Sequence, residues 1–247
     1  MTDLTGKNIL VTGANRGIGR ALVEEALRRG AARVYAGTRA PFAHPDARVT
    51  NLILDVTDAA QTQKAAQTIT SLDILVNNAG AALYDALDDP AVLEHHLAVN
   101  LYGTHRMTQA FLPQLVSSSG AVVNNLSVTA FAPLPMIPAY SISKAAAFSL
   151  TQSQRALLAG QGVRVHAVFI GPTDTDMSRD FDAPKAAPES VASAIFDGVA
   201  NHEEDIFPDP MSQTMAAGWR SSPAKALERE YAGVGSQPEP GTAPTPV

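Results

Sequence analysis

Eight residues near the start of the chain constrain it more than any others: Thr12-Gly13-Ala14-Asn15-Arg16-Gly17-Ile18-Gly19. They follow a short apolar run, residues 8–11, that reads as a buried strand. They lead into residues 17–29, where Ile18, Leu22 and Ala26 share one helical face with Ala21 and Leu27 beside them, and Gly30 is a natural stop. The first turn of such a helix leaves backbone N–H groups unpaired and carries the positive end of the dipole, so it attracts a phosphate. Gly13, Gly17 and Gly19 remove the side chains that would keep a ligand away from the backbone, and Asn15, Arg16 and Ile18 complete the turn. A tight strand-to-helix turn without a ligand has the same outline. The flanking strand and helix favour the seat of a dinucleotide pyrophosphate.

The rest of the chain repeats the alternation. Strands are expected over residues 33–36, 49–54, 72–76, 121–126, 163–169 and, briefly, 205–207. Helices are expected over 57–69, 90–115, 140–158 and 188–199, with Pro113 disturbing the end of the second of these. Residues 39–48 are too short and too proline-broken for a crossover helix and predict an irregular loop. Strands alternating with helices imply an α/β fold, a doubly wound parallel sheet covered on both faces. At 247 residues the chain suits one domain, expected over 1–232. The segment 233–247, rich in Pro, Gly, Ser and Thr, is expected to be a disordered tail.

Composition removes several classes of function. There is no cysteine, hence no disulfide scaffold and no thiolate zinc site. Eighteen basic against 24 acidic residues give a net charge of −6, a poor balance for binding nucleic acid. No apolar run approaches the ~18 residues of a membrane span. Residues 1–7 lack the pattern of a signal peptide, so a cytoplasmic location is expected. His95, His96 and His105 share a helix, but the outer two lie ten residues apart, too far for one ion, and no metal site is expected.

The chemistry-bearing residues fall at the ends of the expected strands, the edge at which open α/β sheets bind ligands. After the second strand, where NAD-binding folds place an acid, the chain reads Ala36-Gly37-Thr38-Arg39. The Arg39 fork, with Arg16 opposite, suits a 2′-phosphate and favours NADP over NAD. Asp55 ends the third strand, as an adenine acceptor or as a helix cap. Asn77-Asn78-Ala79-Gly80 ends the fourth, where a structural turn is the simpler alternative. Tyr140 and Lys144 stand four apart on one helix face, and a lysine ammonium beside a phenol lowers its pKa. Such a phenol can exchange a proton with a carbonyl oxygen. Ser127, thirteen residues earlier at the end of the fifth strand, can polarise the same oxygen.

Taken in this order, Thr12–Gly19, Asn77–Gly80, Asn100, Ser127, Tyr140 and Lys144 resemble the short-chain dehydrogenase/reductase family over residues 5–207. The resemblance implies a Rossmann-type sheet of seven strands. It implies Tyr140 as acid/base and Ser127 as the group orienting the substrate oxygen. Lys144 would bind the nicotinamide ribose and lower the Tyr140 pKa, and Asn100 would hold a water linking Lys144 to solvent. Asp55 and Val56 would meet adenine, and Asn77, Ala79 and Gly80 would support the nucleotide pocket. Thr38, Arg39 and Arg16 look like those of NADP-preferring members. After the sixth strand this chain has Ile170 where the family usually has proline, while Gly171, Thr173 and Thr175, which would meet the nicotinamide, remain.

The expected function is hydride transfer between NADP(H) and a carbonyl or secondary alcohol of a mainly hydrophobic, small to medium substrate. The apolar, proline-rich stretch 128–138 and a lid over 176–187 with Met177 and Phe181 suggest the pocket. Trp219, Met211 and Met215 either line it or pack the C-terminal segment. The alternatives are an NADPH-sensing binding protein without turnover and an epimerase or dehydratase of the same fold. The family resemblance also implies a homodimer or homotetramer through the helices at 104–116 and 143–158.

Overall fold

The computed structural model describes residues 4–232, so the expected tail lies outside the described residues. Seven parallel strands form one sheet: β1 (Asn8–Thr12), β2 (Arg33–Thr38), β3 (Val49–Ile53), β4 (Ile74–Asn77), β5 (Ala121–Asn125), β6 (Arg164–Val168) and β7 (Asp205–Ile206). Their spatial order is β3-β2-β1-β4-β5-β6-β7. The chain therefore reverses its direction of growth between β1 and β4, and a crevice opens there at the carboxyl ends of the strands.

Alternation along each strand builds the two helical layers. Ile9, Val11, Ile74, Val76 and Val123 join one core with α1 (Gly17–Arg28) and α6 (Pro188–Ala200). Leu10, Leu75, Val122 and Val165 join the other with α2 (Ala59–Thr68), α4 (Thr104–Ser118) and α5 (Pro138–Ala159). Residues on both faces of β1 are fully buried, which is why its sequence is a continuous apolar run rather than an alternating one. The 39–48 connection is an irregular loop, tied down by Arg48 Nη1, which donates to the carbonyls of Leu27 and Ala31.

Three local expectations change. The long helix at 90–115 is broken into α3 (Pro90–His96), a π-helical stretch Leu97–Gly103, and α4. Pro113 does not end it. Fully buried Phe111 and Leu115 hold the helix on either side of the proline, and it stops at Ser119, which is left-handed at φ 49°. There the Gly120 N–H returns to the Leu115 carbonyl at 2.8 Å, closing the C-terminus. Two further helices, α7 (Pro210–Arg220) and α8 (Pro223–Ala232), follow the sheet. Trp219 and Met215 belong to packing: they join Phe131, Phe148, Phe169 and Phe207, and Trp219 lies 4.9 Å from the Phe131 ring. Met211 is exposed.

Candidate active site

The glycine turn is shaped by close approach. Gly13 is left-handed at φ +66°, and a Cβ on Gly19 would stand 2.1 Å from the Gly13 carbonyl oxygen. Arg16 precedes α1 in extended conformation and offers no side-chain cap, which leaves the first-turn N–H groups for a ligand. Asn15 and Arg16 are exposed there, and Ile18 packs beneath against the core. This turn suits a dinucleotide pyrophosphate.

Two residues that belong to these motifs but carry no role of their own in the sequence reading hold the turn in place. Thr12 Oγ1 accepts the N–H groups of Asn78 and Ala79 at 3.0 and 2.9 Å. Asn78 Nδ2 donates back to the carbonyls of Thr12 and Gly13. Asn77, by contrast, points through the opposite face of the sheet, donating to Asn124 Oδ1 at 2.8 Å and to Thr108. Strand parity carries the signal: Asn77 follows Leu75 on one face, and Asn78 continues the face of Val76.

Around the adenine end, the candidates separate. Thr38 is buried, and its hydroxyl donates to the Ala40 carbonyl at 2.6 Å and accepts from Asn51, so its side chain shapes the β2 end from inside. Arg39 is exposed beside it. Asp55 does not cap α2; Asp58 does, accepting from Ala60 and Gln61. Burial pushes the Asp55 carboxyl up, but donation from Thr57 and the charges of Arg39 and Arg106 leave it below the usual carboxylate range. Val56 is buried against Gly103, whose missing Cβ would meet it at 2.7 Å.

The catalytic candidates converge on the end of β5. Ser127 is buried just beyond that strand and faces Tyr140, and its hydroxyl accepts the Thr129 N–H at 3.2 Å. Lys144 is buried with its Nζ 5.7 Å from the Tyr140 ring centroid and donates to the Asn125 carbonyl at 2.7 Å. Burial brings the Lys144 ammonium down to about 8. Tyr140 is half-buried, and burial pushes its phenol up to about 12, against the opposing pull of Ser127. The expected lowering of the phenol by Lys144 is thus absent from this arrangement, because burial disfavours both charged forms.

Asn100 sits inside the π-helical stretch, as unusual helix geometry often does at functional sites. Its side chain clamps Ala81, accepting its N–H at 2.9 Å and donating to its carbonyl at 3.0 Å, and also donates to Ser143 Oγ. The Asn100 carbonyl accepts the Thr104 hydroxyl. Gly80 keeps the space between Asn100 and Lys144 open: a Cβ there would lie 3.3 Å from Asn100 Oδ1 and 3.9 Å from Lys144 Nζ.

On the far side, the loop after β6 folds over the crevice. Thr173 is buried and bridges to Ala186, while Thr175 caps the 3-10 turn Asp176–Ser178. The Thr175 methyl lies 3.1 Å from where a Gly17 Cβ would be, and Asp176 reaches Arg16 at 3.5 Å. The lid expected from the sequence therefore touches the glycine turn directly.

This geometry has close relatives. Residues 7–186 match the family model described as short chain dehydrogenase. An uncharacterized oxidoreductase of Staphylococcus saprophyticus is 33% identical over 213 residues, covering 78% of this chain and 91% of its own. A short chain dehydrogenase from Burkholderia cenocepacia, solved in complex with NADP, superposes with a TM-score of 0.85 at 36% identity, over 92% of this chain and 98% of that one. The NADPH-bound carbonyl reductase from chicken fatty liver gives 0.75 at 26% identity, over 81% and 94%. With the model spanning most of the sheet and the same sheet recurring in these structures, the chain belongs to the short-chain dehydrogenase family.

Proposed function

We propose that this chain is an NADP(H)-dependent oxidoreductase that interconverts a carbonyl and a secondary alcohol on a mainly hydrophobic, small to medium substrate. The observation that carries this reading is the meeting of Ser127, Tyr140 and Lys144 at the carboxyl end of β5, beside the crevice that the glycine turn opens. When bound, the nicotinamide supplies or accepts the hydride. The chain supplies everything else. Ser127 and Tyr140 hydrogen bond the substrate oxygen, and Tyr140, a neutral phenol at pH 7, donates its proton as that oxygen gains charge. Lys144, still mostly charged at pH 7, would hold the ribose and steady the phenolate left behind. Arg39 and Arg16, both exposed beside the crevice, would take the 2′-phosphate; that a relative from Burkholderia cenocepacia was solved with NADP bound supports the choice of cofactor. Leu83, Tyr84 and Met136 are exposed, on segments tied together by Asp85 next to the start of α5, and favour apolar substrates.

The exposed Tyr102, Ile142 and Leu157 on the face formed by the π-helical stretch and α5 suit a homo-oligomer contact. The test is loss of NADPH absorbance with acetophenone, benzaldehyde and menadione. Turnover is expected from the native chain and a fall of roughly 10²-fold or more in Tyr140→Phe, with NADPH affinity retained. A mutant with native rates would refute the assignment of Tyr140.

A further inference from the structure

We propose that His96 is a positioning residue for Tyr140, acting through the segment 81–85; this rests on reading Tyr140 as the acid/base. The His96 ring is fully buried and lies 6.3 Å from the Tyr140 ring, edge-on at 72°. Both ring nitrogens are engaged. The Leu83 backbone N–H donates to Nε2 at 3.0 Å, and Nδ1 meets the Val92 carbonyl at 2.7 Å. An amide N–H can only donate and a carbonyl can only accept, so Nε2 carries the lone pair and Nδ1 the proton. His96 is thereby fixed as one neutral tautomer.

The segment it holds is stitched at both ends. On one side Asn100 clamps Ala81 and His96 holds Leu83. On the other, the Asp85 N–H donates to the Met136 carbonyl at 3.4 Å, and the Asp85 carboxylate accepts the Ala139 N–H at 3.3 Å. Helix α5 has no side-chain cap from its own N-cap residue Ile137, so Asp85 supplies one from a distance. The first turn of α5 carries Tyr140. His96 therefore acts on Tyr140 twice, by ring contact and by anchoring the strap that ends on the start of its helix. A buried imidazole needs both partners to avoid an unsatisfied polar atom, which makes the anchor specific rather than a matter of filling space.

The experiment compares His96→Leu, His96→Asn and His96→Gln in the full-length chain. Glutamine reaches the Nε2 position and can accept from Leu83; asparagine reaches only the Nδ1 position; leucine restores neither bond. Steady-state kinetics use NADPH and whichever of acetophenone, benzaldehyde or menadione the native chain reduces fastest, with hydrogen exchange of the Leu83 amide measured in parallel. The expected result is a kcat lowered roughly tenfold in the Leu and Asn variants, an unchanged KM for NADPH, a faster-exchanging Leu83 amide, and recovery of both rate and protection in the Gln variant. A kcat within twofold of native in His96→Leu would overturn the proposal. So would equal losses in kcat, NADPH affinity and melting temperature in all three variants, which would make His96 a packing residue. A native chain that reduces none of the carbonyls sinks the oxidoreductase reading and this proposal with it, whereas the preceding outcomes sink this proposal alone.

Discussion

Acidification should destabilise this fold at one identifiable residue, His166. It lies on β6, 2% exposed, between β5 and β7. Its Nδ1 meets the Glu203 carbonyl at 2.6 Å, and its Nε2 is buried without a hydrogen-bond partner among the described residues. Protonation would put a second N–H into that unpartnered position. Burial brings the imidazole from 6.5 down to about 4, the charges of Arg155, Arg164 and His202 act in the same direction, and the Glu203 carbonyl opposes them. The unfolded chain therefore binds a proton that the folded chain refuses between these two values. Stability from this group is complete above pH 6.5 and is lost as the pH falls toward 4. A shift of this size corresponds to about 3 kcal/mol in full, of which about 2 kcal/mol is lost between pH 7 and pH 4.5. Asp205, where burial is outweighed by Arg155 and Lys225, has its pKa lowered and titrates beneath this window. The assay is urea unfolding of the native chain and of His166→Leu at pH 7 and pH 4.5. The variant starts less stable, having lost the Glu203 bond, but its stability should change with pH by about 2 kcal/mol less than the native chain's. Equal pH dependences in the two proteins would refute the argument.

Two further outcomes follow from the cofactor crevice. Gly19→Ala forces the Gly13 carbonyl away from α1, since the new methyl would start 2.1 Å from it; a cost of about 1–3 kcal/mol is expected, read as a lower melting temperature with NADPH affinity down at least tenfold, and unchanged binding would show that the turn does not cradle the nucleotide. Arg39→Ala should weaken NADPH roughly ten- to a hundredfold and leave NADH nearly untouched, as titration calorimetry would report; equal losses would remove Arg39 from the 2′-phosphate.

Much of this fold is legible because its strands are buried on both faces and its crossovers are helices. Each apolar run of four or five residues has one physical solution, and the glycines at 13, 17 and 19 have one place to sit. What escapes the sequence depends on partners far along the chain. The π-helical stretch exists where Asn100 reaches back to Ala81, and nothing local to residues 97–103 announces it. Helix α8 carries four charged residues among its ten, and Lys225 is buried within it only because Glu204, Asp205 and Glu228 surround its ammonium. Helix α7 did carry a signal, Asp209-Pro210 with Ser212 three residues after the cap, a capping box that short-range reading can find. The position of Thr38 points to the cofactor, but the bonds of its hydroxyl to Ala40 and Asn51 depend on the loop and on β3 and are not announced by position.

Helix α7 also resolves the one departure from the family pattern. Without proline at position 170, the loop after β6 gains an N–H and loses a rigid ring. Ile170 instead buries its side chain in the core shared with α1 and α6, and its carbonyl accepts the Val128 N–H at 3.2 Å. The next residue is fixed from downstream. Asp209, 2% exposed at the start of α7, accepts the Gly171 N–H through Oδ2 at 2.8 Å while its Oδ1 accepts the Ser212 N–H at 3.0 Å. A Cβ on Gly171 would stand 2.5 Å from that carboxylate, so glycine is required for the contact. A buried carboxylate carrying several donors is a strong tether, because leaving any of them unpaired costs more than an exposed bond returns. The course of the loop toward the crevice is thus held by apolar packing on one side and a helix cap on the other, which is the work a proline ring would otherwise do.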